Sequence, residues 1–161
     1  WLEGYDKDVD HKYVFGVQGY NLKPADLQGS IGLVQLEKQE EIHCVRRMNK
    51  EALTQVFSKI PGCRVVEEKD HAETSWFGVP IIYEYGKHHL VKYLEKNGVQ
   101  TRNYFAGNIL MHPAYRGLDD PKNFPNSSGV LDNVFFLGCS PVITVPMLDY
   151  IYDIMEKYEA P

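Results

Sequence analysis

Asn21 and Lys23 lie just ahead of Pro24, in a polar stretch that runs into an apolar-periodic segment. Proline suits the first turn of a helix, where its missing N–H is no loss and its fixed φ already fits. The pattern therefore predicts a helix start at Pro24, with one amide donor and one cation beside its unpaired N–H groups. Such a place favours an anionic group. An asparagine capping its own turn and a solvated lysine are the plainer alternatives. A second candidate group is Arg102 with Asn108, flanking Tyr104-Phe105-Ala106-Gly107 where a strand is expected to end. Strand-to-loop edges commonly carry ligand groups, and an arginine fork matches the oxygens of a nucleoside diphosphate. Arg116, further along, either holds that loop or is simply solvated.

The six histidines and three cysteines invite a metal reading, which their spacing rejects. His88 and His89 are adjacent on a predicted helix and point about 100° apart, so one ion cannot easily take both. His43, His71 and His112 have no partner at ligand spacing, and Cys44, Cys63 and Cys139 are far apart. Neither a zinc framework nor a disulfide framework results, and a reduced, cytoplasmic chain is the expectation. A net charge of −5 with no lysine/arginine block argues against general nucleic-acid binding. No apolar run approaches the roughly 20 residues needed to cross a bilayer.

The elements that position these groups follow from periodicity. A length of 161 residues suggests one domain with a real core. Tyr13 to Val17 reads as a short strand or extended arm. From Pro24 a helical pattern runs to Ile60, too long for one helix, so two helices or a bend near Gln39-Glu40-Glu41 are expected. Ala25, Gly29 and Gly32 form a strip of small residues that implies a close packing partner, since glycine inside a helix costs about 1 kcal/mol. Leu27, Ile31 and Val34 share a face, and Pro61-Gly62 ends the pattern. Strands are predicted at Cys63–Val66, Trp76–Tyr83, Val99–Tyr104 and Val134–Leu137, with Trp76 and Phe77 as core. Lys87–Asn97 is an amphipathic helix facing inward through Leu90, Val91 and Leu94, with Gly98 as its stop. Phe105–Gly129 reads as irregular because of Pro113, Pro121 and Pro125. Thr144 is expected to cap a closing helix that buries Leu148, Ile151, Met155 and Tyr158. The sum is an α/β domain with long N-terminal helices and a small mixed sheet covered on one side.

Tyr20-Asn21-Leu22-Lys23-Pro24-Ala25-Asp26-Leu27-Gln28-Gly29-Ser30-Ile31-Gly32-Leu33 and the residues through Lys38 resemble a segment of the DegT/DnrJ/EryC1/StrS sugar aminotransferase family. Within it, Asp10-His11-Lys12-Tyr13, Ser75-Trp76-Phe77-Gly78-Val79-Pro80, Thr101-Arg102-Asn103-Tyr104-Phe105-Ala106-Gly107-Asn108 and Pro113-Ala114-Tyr115-Arg116 resemble the nucleotide-sugar 3-dehydratase branch, the CDP-4-keto-6-deoxyglucose 3-dehydratases. The resemblance implies the C-terminal small domain of the aspartate-aminotransferase fold (PLP fold type I). Residues 1–22 would be the end of the large cofactor domain with the interdomain arm, and residues 23–161 the small domain.

Several roles follow from the resemblance alone. Asn21 would cross a homodimer interface to the phosphate of pyridoxal or pyridoxamine 5'-phosphate, with Lys23 adding a cation. Arg102, Phe105, Asn108 and Arg116 would line the site for a nucleotide-linked 4-keto-6-deoxysugar. Asn108 stands where many sugar aminotransferases have histidine, a departure typical of the dehydratase branch. The catalytic histidine, the cysteines that hold a [2Fe–2S] cluster in some members, and hence any need for an iron–sulfur flavin reductase, would belong to sequence upstream of Trp1. The implied activity is dehydration in deoxysugar and lipopolysaccharide O-antigen synthesis, with the 161 residues alone inactive. The alternatives are a sugar aminotransferase, marked by an upstream lysine in place of that histidine, and a non-catalytic dimerising or sugar-nucleotide-binding remnant.

Overall fold

The computed structural model describes residues 2–7, 9–21 and 23–160. Leu22, between the two phosphate-site candidates, lies outside the described residues. Two helices open the fold, α1 (Asp26–Glu37) and α2 (Gln39–Phe57). They break at Lys38, with φ −100° and ψ 5°, beside the expected polar interval. That interval is a helix start: Glu40 and Glu41 sit in the first turn of α2, where negative charge is favoured. The start of α1 differs from expectation. Its N-cap is Ala25, so Pro24 precedes the helix, and Gln28 Oε1 takes the Ala25 N–H at 2.7 Å. A reaching glutamine does here what the proline was expected to do.

Strands β1 (Cys63–Val65), β2 (Gly78–Tyr83), β3 (Arg102–Asn103) and β4 (Val134–Gly138) form one sheet in the order β1-β2-β4-β3. Every pairing is antiparallel, which corrects the expected mixed sheet. Helix α3 (His88–Lys96) does link two strands of the same direction, β2 and β3, but β4 inserts between them. The register pairs Val79 with Leu137 and Ile81 with Phe135, which puts these four on one face. With Tyr83, they meet Leu53 and Phe57 of α2, Leu90 and Leu94 of α3, and Ile151 and Met155 of α5 (Val145–Glu156) in a single core. Asn97 ends α3, and Gly98 follows at φ +76°, the left-handed stop that glycine supplies without strain.

The remaining differences have local causes. β3 is short because residues 99–101 spend their polar groups on α3. Val99 N–H bonds Leu94 O, and Glu95 takes both the N–H and the hydroxyl of Thr101 at 2.6 and 2.8 Å. The segment after Phe105 holds three single-turn helices and α4 (Pro125–Asn133), where Pro125 opens a helix rather than forbidding one. Phe105, just before this segment, packs on Phe136 and covers part of the second sheet face. Thr144 occupies the N-cap of α5, yet its hydroxyl makes no capping bond among the described residues. Phe77 is not core: it is 65% exposed and leans on Phe136, while Trp76, one residue earlier, packs against the core from the other side. Residues 14–17 form the extended arm rather than a strand. Helix α1 buries none of its side chains, and nothing approaches within 4 Å of a Cβ built on Gly29 or Gly32. The partner implied by the small-residue strip is therefore not among the described residues.

Candidate functional site

The site is organised by the turn after β3. Phe105 sits at φ +52°, a region a phenylalanine rarely adopts, and Gly107 at φ +61°. Such strain persists only where the surroundings over-determine it, and here they do. Gly107 lies against Leu131 of α4 so closely that a Cβ would come 2.7 Å from Leu131 Cβ. Asn108 is 2% exposed, and its amide bonds Pro121 O at 3.2 Å, Ser128 Oγ at 3.0 Å and the Leu110 N–H at 3.2 Å. Asn108 thus fastens the loop from inside. The result is that Phe105 stands half exposed among Tyr13, Tyr104 and Phe136, with ring centroids 6.1, 5.2 and 5.9 Å away.

Arg102 is paired with Phe136 across the ladder, three residues before Phe105. Its Nη1 donates to Thr101 O at 2.8 Å, and its Nε lies 4.0 Å from Asp10 Oδ2. The other Asp10 oxygen caps the turn His11–Tyr13, so one half-buried carboxylate orients both Arg102 and the segment that carries Tyr13. A cleft of about 310 Å³ opens beside Arg102, with Asp10, Lys12, Lys87, Lys92 and Thr101 in its walls. Glu95 also borders it but is spent on Thr101. The balance is cationic and suits an anionic ligand.

The other candidates are dispersed. Arg116 belongs to a separate cleft of about 290 Å³ and pairs with Glu3 at 2.9 Å. Asn21 and Lys23 are exposed in the extended stretch before α1, outside both clefts. Arg102 and Phe105 are thus brought together, and Asn108 supports them. Sequence reasoning missed Asp10 as the partner of Arg102, and it missed Lys87. Among the described residues no three His, Cys, Asp or Glu groups converge on a metal position, and no helix is long and apolar enough to cross a membrane.

Lys87 is 3% exposed, and its Nζ donates to Val134 O at 3.0 Å, holding the start of α3 to the start of β4. Burial pushes its amine down to about 8, against the pull of Asp132 and with help from Lys7. Between that value and the ordinary 10.5 the unfolded chain keeps the proton and the folded chain does not, so Lys87 makes stability rise with pH there. Cys63, whose thiol burial pushes up to about 12, works the other way above its ordinary 9.0. Comparison with Lys87→Met isolates the lysine. From pH 8 to 9, wild type should gain on the variant by about 1 kcal/mol in urea unfolding. A flat difference across that interval would show that Lys87 keeps its proton in the fold.

The architecture has known counterparts. An Escherichia coli GDP-4-keto-6-deoxy-D-mannose 3-dehydratase with bound hydrated PLP superposes with a TM-score of 0.67 at 26% identity, over 96% of this chain and 41% of its own. The fold is therefore the small domain of a fold type I pyridoxal-phosphate enzyme. The chain belongs to the DegT/DnrJ/EryC1/StrS aminotransferase family, whose profile matches residues 2–156. It is 37% identical over 160 residues to dTDP-4-dehydro-2,6-dideoxy-D-glucose 3-dehydratase of Saccharopolyspora spinosa, covering 94% of this chain and 34% of that protein. It is 32% identical over 167 residues to the lipopolysaccharide biosynthesis protein RfbH of Salmonella typhimurium, covering 98% and 38%. The chain spans between about a third and two fifths of the length of these relatives.

Proposed function

We propose that this chain is the C-terminal part of a PLP/PMP-dependent nucleotide-sugar 3-dehydratase, residues 1–22 closing the cofactor domain and residues 23–161 forming the small domain. The observation that carries the reading is the similarity to a sugar 3-dehydratase along almost the whole chain. The cationic cleft at Arg102 supports it, as does the Phe105 ring packed on Phe136, the ladder partner of Arg102. Arg102 binds the diphosphate, Asp10 orients it, and Phe105 with Tyr13 and Phe136 excludes water beside the sugar. Asn21 and Lys23 fit phosphate oxygens by type, as an amide donor and an ammonium on an exposed segment. They supply part of a phosphate cup and nothing that transfers a proton at the sugar, which falls to a histidine outside these residues. When bound, the cofactor supplies the amine through which a 4-keto sugar is activated toward loss of its C3 hydroxyl.

The test is binding. Titration calorimetry with CDP, GDP and dTDP should give a complex with at least one of them, and Arg102→Ala should weaken it about 10- to 100-fold with the circular dichroism unchanged. Equal binding by wild type and variant would overturn the assignment of the cleft.

The apolar residues of α1 support a homodimer. Leu27, Ile31 and Leu33 are 73, 58 and 67% exposed on a helix with no partner among the described residues. A second copy covers them in this reading, bringing Asn21 toward the neighbouring subunit's cofactor phosphate. Sedimentation should show a dimer that Ile31→Glu converts to monomer. A monomeric wild type at the same concentration would leave α1 to some other cover.

A further inference from the structure

His112 is 1% exposed and uses both ring nitrogens. Its Nδ1 lies 3.0 Å from the Phe15 nitrogen, an N–H that can only donate, so Nδ1 is the bare acceptor. Its Nε2 lies 2.9 Å from Ala106 O, which can only accept, so Nε2 carries the proton. The partners set one tautomer. They also belong to separate segments, with Phe15 in the N-terminal arm and Ala106 in the strained turn between Phe105 and Gly107.

Phe15 is held through its backbone and one part of its ring by the same region, the rest of the ring being exposed. Its carbonyl takes the Ala114 N–H at 3.0 Å, and its ring lies 5.3 Å from the His112 ring and edge-on to Tyr115 at 6.3 Å. The arm then runs on, exposed, from Gly16 to Asn21, with Lys23 shortly beyond. At the other end, Ala106 sits between two left-handed residues, so its carbonyl direction and the stance of Phe105 are set together.

We propose that His112 is a positioning residue that couples the arm leading to Asn21 and Lys23 to the turn presenting Phe105. The base of that arm, at Phe15, and the turn at Ala106 then move as one. The coupling is a property of this chain. Only its meaning for a ligand rests on the function proposed above.

Three substitutions separate the two bonds. His112→Asn places an amide oxygen near the Nδ1 position and keeps an acceptor for Phe15. His112→Gln places an amide nitrogen near the Nε2 position and keeps a donor for Ala106. His112→Ala loses both. By amide exchange on the full 161-residue chain, Phe15 should exchange about tenfold faster in the Gln and Ala variants and near the wild-type rate in the Asn variant. The Ala106 carbonyl carbon resonance should shift in the Asn and Ala variants and hold in the Gln variant. Core amides such as Leu53 and Phe57 should keep wild-type protection in all three. Equal loss of Phe15 protection in all three, or no loss in His112→Ala, overturns the proposal. Should the variants fail to fold, the imidazole nitrogen spectrum of wild type decides: a proton on Nδ1 refutes the coupling geometry. At least one of CDP, GDP and dTDP, added in turn, should slow exchange at Phe15 in wild type but not in His112→Ala. Failure of all three to alter any amide counts against the proposed ligand site alone, while the substitution pattern still decides the coupling.

Discussion

Phe135→Ala should cost about 3–5 kcal/mol in chemical denaturation and leave the chain marginally folded or unfolded. Phe135 is fully buried in β4, opposite Ile81 of β2, and meets the Phe57 ring edge-on at 6.4 Å. It therefore joins the central strands to α2, and its loss opens a cavity that neighbours on three elements cannot fill together. Phe77→Ala is the control. Its ring is 65% exposed and rests on Phe136 at 5.7 Å, so truncation should cost less than about 1 kcal/mol. Equal costs for the two would mean that the sheet face carrying Phe77 is buried in solution, as when a further part of the protein covers it.

That pair also shows what a sequence can and cannot say about this fold. Strands β2 and β4 were legible as short apolar runs, and so were the inward faces of α3 and α5 and the stop at Gly98, because each rests on neighbours a few residues apart. Trp76 and Phe77 were read alike because both are large and aromatic. Which of them faces the helices depends on strand register, which is set by pairing with residues far along the chain. The short β3 has a local cause instead, a specific hydrogen bond that residue type does not announce: Glu95 takes Thr101 away from the ladder.

The site divides along the same line. Arg102 and Phe105 were singled out because a strand-to-loop edge is a local pattern and the motif around them resembles a known family. The Asp10–Arg102 contact and the His112 bridge join segments about 90 or more residues apart and leave no mark in spacing. His112 was weighed only as a metal ligand, and its actual partners are backbone groups, to which residue type gives no clue. The apolar residues of α1 were legible as a helical pattern, but nothing among the described residues buries them.

Gly107→Ala tests how firmly the turn presents Phe105. Alanine at φ +61° carries backbone strain of about 1–2 kcal/mol. Its Cβ would also meet Leu131 Cβ at 2.7 Å and Leu131 Cα at 3.0 Å. The second contact is backbone of α4, so no rotamer change relieves it, and overpacking of this kind adds about 1–3 kcal/mol. The expected loss is about 2–5 kcal/mol by urea unfolding. Gly117→Ala supplies the reference, with φ +79° but nothing within 4 Å, so only the backbone strain applies and the loss should be about 1–2 kcal/mol. Because relief of the clash moves the turn away from α4, Phe105 must leave its place against Phe136 and Tyr13. Gly107→Ala should therefore also weaken nucleoside diphosphate binding, whereas Gly117→Ala leaves it unchanged. Loss of stability without loss of binding would mean that the ligand is held by Arg102 and its cationic cleft without help from the aromatic wall.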